Sequence, residues 1–261
     1  MSRLTRRRFL KDTVAAAATI TLAGTKSSGK VLGANDAIRI GVAGINSRGV
    51  EHIRQFAGMS GVYVKYLIDP DTRLFESRRR EVRTRGHNNP RCVQDVRRAL
   101  DDRNLDALSI ATPNHWHALM TMWACQAGKD VYVEKPSSHN VREGRQTIEI
   151  ARRHNRIVQH GTQNRSDENW RRVIEVIRSG KLGRLQVAYG LCYKPRNNLM
   201  GRVPSVRAID APRELDFNLW LGPAPRRDYH ENLVHYRWHW FWDFGNGDLG
   251  NQGVQIGRAH V

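Results

Sequence analysis

Residues 37–49 read AIRIGVAGINSRG, and this stretch decides the fold. Ala37 to Ala43 has the length and apolar content of a buried strand. Gly44-Ile45-Asn46-Ser47-Arg48-Gly49 follows, and then a helical pattern through Val50, Ile53 and Phe56-Ala57. Strand, glycine turn and helix are the context in which G-x-G-x-x-G binds a dinucleotide, because glycine lets backbone approach a pyrophosphate at a helix N-terminus. Asn46 stands in place of the second glycine. Its Cβ is expected to crowd the pyrophosphate, although Asn tolerates positive φ better than most residues. Alone, the motif does not separate a nucleotide turn from an ordinary strand–helix turn.

The flanking sequence strengthens it. Val62 to Ile68 is a second strand ending at Asp69, 25 residues beyond Gly44. An acid there accepts hydrogen bonds from the adenosine ribose hydroxyls and repels a 2′-phosphate, so NAD is expected over NADP. Two readings compete: Asp69-Pro70-Asp71 as a plain turn, and Arg73 as a seat for that phosphate. Leu105 to Ala111 is a further strand, followed by Thr112-Pro113-Asn114-His115-Trp116-His117 and a helix from about His115 to Ala127 that Gly128 stops. Lys129 to Val133 then leads into Glu134-Lys135-Pro136. Alternating strands and helices predict a doubly wound parallel α/β sheet, with the ligand at the strands' carboxyl ends near Gly44, Asp69, Thr112 and Lys135.

Composition narrows the classes. Lys and Arg number 43 against 25 acids, a formal charge of +18. Seven bases and one acid fall within residues 1–34, and the rest is spread along helices without a nucleic-acid-binding motif, so no nucleic-acid partner is expected. A mean hydropathy of −0.61 excludes a polytopic membrane protein. Cys92, Cys125 and Cys192 are too few and scattered for a disulfide scaffold or a four-thiolate zinc site. Within residues 1–34, Arg6-Arg7-Arg8-Phe9-Leu10-Lys11 precedes a short apolar stretch, Val14 to Ala23, and a small-residue end. That resembles a twin-arginine signal peptide, which implies the twin-arginine export machinery as partner and a periplasmic or secreted destination. A basic amphipathic helix is the alternative.

Taken in order, GVAGINSRG, IDPD, ATPNHWH, VEKP, GTQNRS and WLGPAP make residues 35–254 resemble the Gfo/Idh/MocA oxidoreductases. The resemblance implies a Rossmann domain over 35–160 and, from 161 to 254, the start of a C-terminal α/β domain with an open, mostly antiparallel sheet. It implies NAD(P)-dependent redox chemistry on sugars and polyols, and a homo-oligomer at full length. The cofactor would be held by Gly44, Asn46, Ser47, Arg48, Gly49, Asp69, Thr112, Pro113, Asn114, His115, Glu134 and Lys135. The lysine of the family's EKP motif falls on Lys135 and contacts both nicotinamide and substrate. An ammonium there donates to a reacting oxygen and steadies developing negative charge. Asn114 and His115 are expected to line the nicotinamide end while Trp116 packs. His115 and His117 with Cys125 suggest a metal, but two histidines two apart at a helix start do not share a face, so no metal is expected.

Gln163 and Arg165 are candidates for substrate contact or for bridging the two domains. Leu182 to Tyr193 has a strand pattern. Tyr229, Tyr236, Trp238, Trp240, Phe241, Trp242 and Phe244 read either as sugar-stacking faces or, more simply, as a strand facing a core. Asn251 matches the acid-or-amide position that family members place four before a catalytic histidine, and position 255 carries Gln255 instead. The tail 255–261 is what a common sequencing-library adapter would encode, which suggests an artificially truncated frame, inactive as it stands. The leading function is hydride transfer between nicotinamide and a carbohydrate hydroxyl. The rivals are a glycoside hydrolase that oxidises its substrate transiently, and a non-catalytic secreted Rossmann scaffold.

Overall fold

The strand and helix around Gly44 form as expected, β1 at Ile38–Ala43 and α1 at Arg48–Ala57, in a computed structural model that describes residues 37–187, 189, 191 and 208–257. The signal-peptide reading of residues 1–34 lies outside these. The chain continues through β2 (Val62–Ile68), α2 (Phe75–Gly86), β3 (Arg91–Val93), α3 (Val96–Leu100), β4 (Ala107–Ile110), α4 (Asn114–Gln126), β5 (Asp130–Glu134), α5 (Val141–Arg153) and β6 (Val158–Gly161). All six strands are parallel, in the order β3-β2-β1-β4-β5-β6. The order reverses between β1 and β4, which opens a crevice at their carboxyl ends.

The inner strands β1, β2, β4 and β5 are short and mostly apolar because helices cover both faces of the sheet there, while the edge strands β3 and β6 are more polar. On one face Val42, Ile53, Val64 and Leu67 are wholly buried together with Val82 of α2. On the other, Leu108, Ile110 and Val133 meet Ala99, Met120 and Ala124. Each fully buried Val, Leu or Ile of this kind stabilises the fold by about 1.5–3 kcal/mol. The helix boundaries follow local chemistry. Asn140 Oδ1 accepts from the Glu143 N–H at 2.9 Å, and Glu143 Oε2 reaches back to the His139 N–H at 3.0 Å. Gly128, at φ +75°, turns the chain out of α4. Strand β3 was not visible in the sequence, since Arg91-Cys92-Val93 is too short to show a period.

Beyond β6 the chain runs through a 3-10 turn at Gln163–Ser166 and α6 (Glu168–Arg178). Residues 208–257 add α7 (Phe217–Leu221), a 3-10 turn at Arg237–Trp240, a π turn at Leu249–Gly253 and α8 (Val254–Gly257) around a core of Leu215, Trp220, Leu233, Trp238 and Phe244. This unit docks on the carboxyl edge of the sheet. Thr72 N donates to Glu214 O and Asp216 N to Pro70 O, both at 3.0 Å, and the indole of Trp116 donates to Trp220 O at 3.0 Å. The approach is close enough that a Cβ on Gly222 would lie 2.1 Å from the Trp116 ring.

Two expectations change here. The described part of Leu182 to Tyr193 forms no strand; Leu182, Leu185 and Val187 are exposed, with no ladder partner among the described residues. No strand of the second domain's expected sheet lies among those residues either. Trp238 and Trp240 lie in a 3-10 turn and Trp242 just beyond it, none of them in a strand; Trp238 is buried and Trp242 is 92% exposed. Core packing holds for Trp238 and Phe244.

Candidate cofactor and active site

The crevice at the switch point is a cavity of about 290 Å³. Gly44, Asn46, Ser47 and Arg48 wall it from the turn after β1, Asp69 from β2, and Thr112, Pro113 and Asn114 from the loop after β4. Glu134 and Lys135 enter from the end of β5, and Asn251 faces them from the π turn.

The turn after β1 is built for close approach. Gly44 lies at φ +76°, and a Cβ there would sit 2.6 Å from the backbone of Ala111 and Thr112. A Cβ on Gly49 would meet Gly44 O at 1.8 Å, so this glycine closes the turn from behind rather than lining the cavity. The left-handed residue is Ser47, at φ 43°, and not Asn46. Asn46 is drawn aside, its Oδ1 accepting from the Arg78 guanidinium at 3.3 Å while Arg78 Nε donates to Ile45 O at 2.8 Å. Thr112 Oγ1 is buried in this wall with no partner among the described residues. A glycine cradle, a helix N-terminus and an unmatched hydroxyl fit a dinucleotide.

Asp69 is buried, accepting from Ile45 N and Asp71 N at 3.0 Å each. Burial pushes its carboxyl up to about 7 in spite of those donors. Asp71 is fully buried, which raises its pKa, but the fork of Arg73 at 2.8 and 2.6 Å outweighs that and holds it low. The guanidinium of Arg73 is thus already engaged with a carboxylate.

At the other end Glu134 is 4% exposed and gathers charge-assisted bonds: Gln163 Nε2 at 2.6 Å, Arg48 Nε at 2.8 Å and His52 Nε2 at 2.9 Å. Burial alone would raise its carboxyl; hydrogen bonds from His52 and Arg48 prevail and hold it at about 2. An ionised carboxylate only accepts, so His52 Nε2 carries a proton, and in the neutral ring Nδ1 accepts from the buried Ser109 hydroxyl at 2.8 Å. Lys135 N leans on Glu134 Oε2 at 3.3 Å, and the peptide between Lys135 and Pro136 is cis. The ammonium of Lys135 donates to Asn251 O at 2.8 Å and to Asn251 Oδ1. Residues 116 apart in sequence thus meet at one nitrogen.

Some expected contacts are not made. His115 does not line the cavity: it is buried between Trp220 and Phe244, with Nε2 on Trp220 O at 3.0 Å, and burial pushes its pKa down to about 4. Trp116 and His117 wall the cavity instead, the ring nitrogens of His117 lying 2.8 and 2.5 Å from the carbonyls of Thr112 and Pro136, of which the neutral ring donates to one. Gln163 stands behind Glu134, bonded to Tyr132 Oη at 2.9 Å and to Gln255 at 3.3 Å, and so bridges the two units. Arg165 is exposed and outside the cavity. Among the described residues no cluster of three His, Cys, Asp or Glu side chains is placed to hold a metal. The sequence reading missed Ser109, the one polar residue of β4, and His52, one of several polar residues on an amphipathic helix and so indistinguishable by pattern from Glu51, Arg54 and Gln55. It also missed His235 and His239, which wall the cavity beside Tyr236, because their crowd of aromatics reads as core.

Comparison with known proteins bears on this geometry. Residues 38–162 match a family described as "oxidoreductase family, NAD-binding Rossmann fold", and residues 168–256 match its C-terminal alpha/beta domain. Among curated relatives, a glycosyl hydrolase family 109 protein of Shewanella pealeana is 29% identical, over 62% of this chain and 37% of its own length. An inositol 2-dehydrogenase of Leifsonia xyli is 27% identical, over 72% and 54%. The chain therefore spans between about a third and about half of these relatives. Among solved structures, scyllo-inositol dehydrogenase from Lactobacillus casei with bound NAD(H) and scyllo-inositol superposes with a TM-score of 0.52 at 23% identity, covering 57% of this chain and 43% of that one. At that identity the likeness concerns the fold.

Proposed function

The chain belongs to the Gfo/Idh/MocA oxidoreductase family, with its NAD-binding Rossmann domain, and on that footing we propose that the full-length protein oxidises a secondary hydroxyl of a sugar or polyol with NAD as acceptor. The observation that carries this reading is the meeting of Lys135 and Asn251 in the cavity that also contains the glycine turn. Gly44, Asn46 and Ser47 would hold the pyrophosphate, Asp69 the adenosine ribose, and Thr112 and Asn114 the stretch toward Lys135. When bound, the nicotinamide supplies the acceptor or donor of a hydride. Lys135 Nζ, as the neutral amine, would take the hydroxyl proton as the carbinol is oxidised, and the ammonium so formed would return it when a carbonyl is reduced. Asn251 orients that nitrogen, and Glu134, held ionised by His52 and Arg48, fixes the backbone of Lys135.

The test is a fluorescence titration with NADH and NADPH, followed by turnover of inositols and sugar panels by the full-length enzyme. Tight NADH binding with reduction of NAD by a polyol is expected. Absence of binding by either nucleotide would refute the reading. A second reading draws on the family 109 relative: a glycoside hydrolase in which the same proton transfer serves a transient oxidation. Glycoside cleavage without net NADH formation would distinguish it. We further propose export through the twin-arginine route, from Arg6 and Arg7 and the apolar stretch behind them.

A further inference from the structure

Dinucleotide in this crevice runs from the acid at the end of β2, where the ribose of the adenosine half belongs, past the glycine turn to Lys135 on β5. The cavity does not stop at Asp69. It continues over Pro70 and the residues after β3, Gln94 to Val96, and its far wall comes from the second unit, from Tyr236, Trp238 and His239. Those side chains are prearranged. Trp238 and His239 stack with centroids 3.6 Å apart and planes 17° from parallel, and Trp238 is buried with its indole N–H on His235 O at 2.9 Å. Tyr236 packs on His239 at 4.7 Å yet stays 47% exposed, so much of its ring lacks a protein partner. The turn is pinned to the β2 loop by His235 Nε2 against Asp71 Oδ2 at 2.9 Å.

We propose that the aromatic turn Tyr236–His239 is the stacking platform for the adenine of the bound dinucleotide, so that the second unit completes the cofactor site. A base offers a flat face to any aromatic ring, and such stacking is sequence-tolerant and strong. Core packing alone accounts for Trp238 but not for a half-exposed tyrosine at the mouth of a nucleotide crevice.

The inference rests on the NAD reading above, and the experiment separates the two. In titrations of the full chain, Tyr236→Ala should weaken NADH and ADP-ribose about tenfold, with Tyr236→Phe near the parent and nicotinamide mononucleotide unaffected. His239→Ala should weaken the same two ligands. Photolabelling of the unaltered chain with 8-azido-adenine NAD, which needs no substitution to fold, should mark the peptide containing Tyr236–His239. Affinities within twofold of the parent in both alanine variants, or a label confined to the residues after β2 and β3, would overturn the platform while leaving the NAD reading intact. A parent chain that binds no NADH would overturn both.

Discussion

Replacing Glu134 by Gln tests the buried network behind Lys135 through stability alone. The shape is kept and the charge removed, so His52 and Arg48 lose the anion they donate to. The carboxyl lies at about 2 in the folded chain against a reference of 4.5. A displacement of this size corresponds to about 3 kcal/mol of stability at neutral pH, as an order of magnitude. The sign follows from proton binding. The unfolded chain binds the proton more readily, so the contribution is present in full above about pH 4.5 and is lost as pH falls toward 2. At pH 3 it should have fallen to about 1 kcal/mol. Urea unfolding of parent and Glu134→Gln at pH 7, 5, 4 and 3 gives the difference directly. It should shrink by about 2 kcal/mol across that series. A difference that stays constant with pH, or a loss below about 0.5 kcal/mol at pH 7, the range of an ordinary surface substitution, would refute the charge-based account of the network.

Lys135→Ala in the full-length enzyme should cut turnover by about 10²–10⁴-fold while NADH affinity changes little, and Lys135→Arg should not restore it, since guanidinium does not release its proton; near-normal rates in the alanine variant would remove Lys135 from proton transfer. Asp69 has the opposite linkage to Glu134: its raised pKa favours the fold below about 4 and costs stability as pH rises through about 7, so Asp69→Asn should gain on the parent across that window in thermal melts. The same variant should narrow the preference for NADH over NADPH in fluorescence titration, and an unchanged preference would take Asp69 out of ribose recognition. Replacing Arg6 and Arg7 together with Lys should leave the protein in the cytoplasm on fractionation, and normal delivery would refute export by the twin-arginine route.

The sheet was legible because its causes are local. A parallel strand covered by helices is apolar where it is buried, so Val64 and Tyr66 to Ile68 mark β2 despite Lys65 between them, and Gly44 and Gly49 sit where no side chain fits. The same locality put Asp69, Thr112 and Lys135 at strand ends, hence on one edge of the sheet. Pairing across sequence was not legible. Nothing in Asn114-His115-Trp116-His117 says which ring turns into the cavity: that was settled by Trp220 and Phe244, which arrive about a hundred residues later and take His115 into their core. Nor does His52, one of several polar residues on an amphipathic helix, reveal that it will bridge Ser109 and Glu134. The sequence by itself determined the strand order's ingredients, the nucleotide turn and the place of Lys135 at a strand end, because periodicity and backbone sterics act within a few residues. Only the tertiary structure decided what each polar group bonds to, because a buried donor or acceptor must find its partner in space, and chain distance does not enter that requirement.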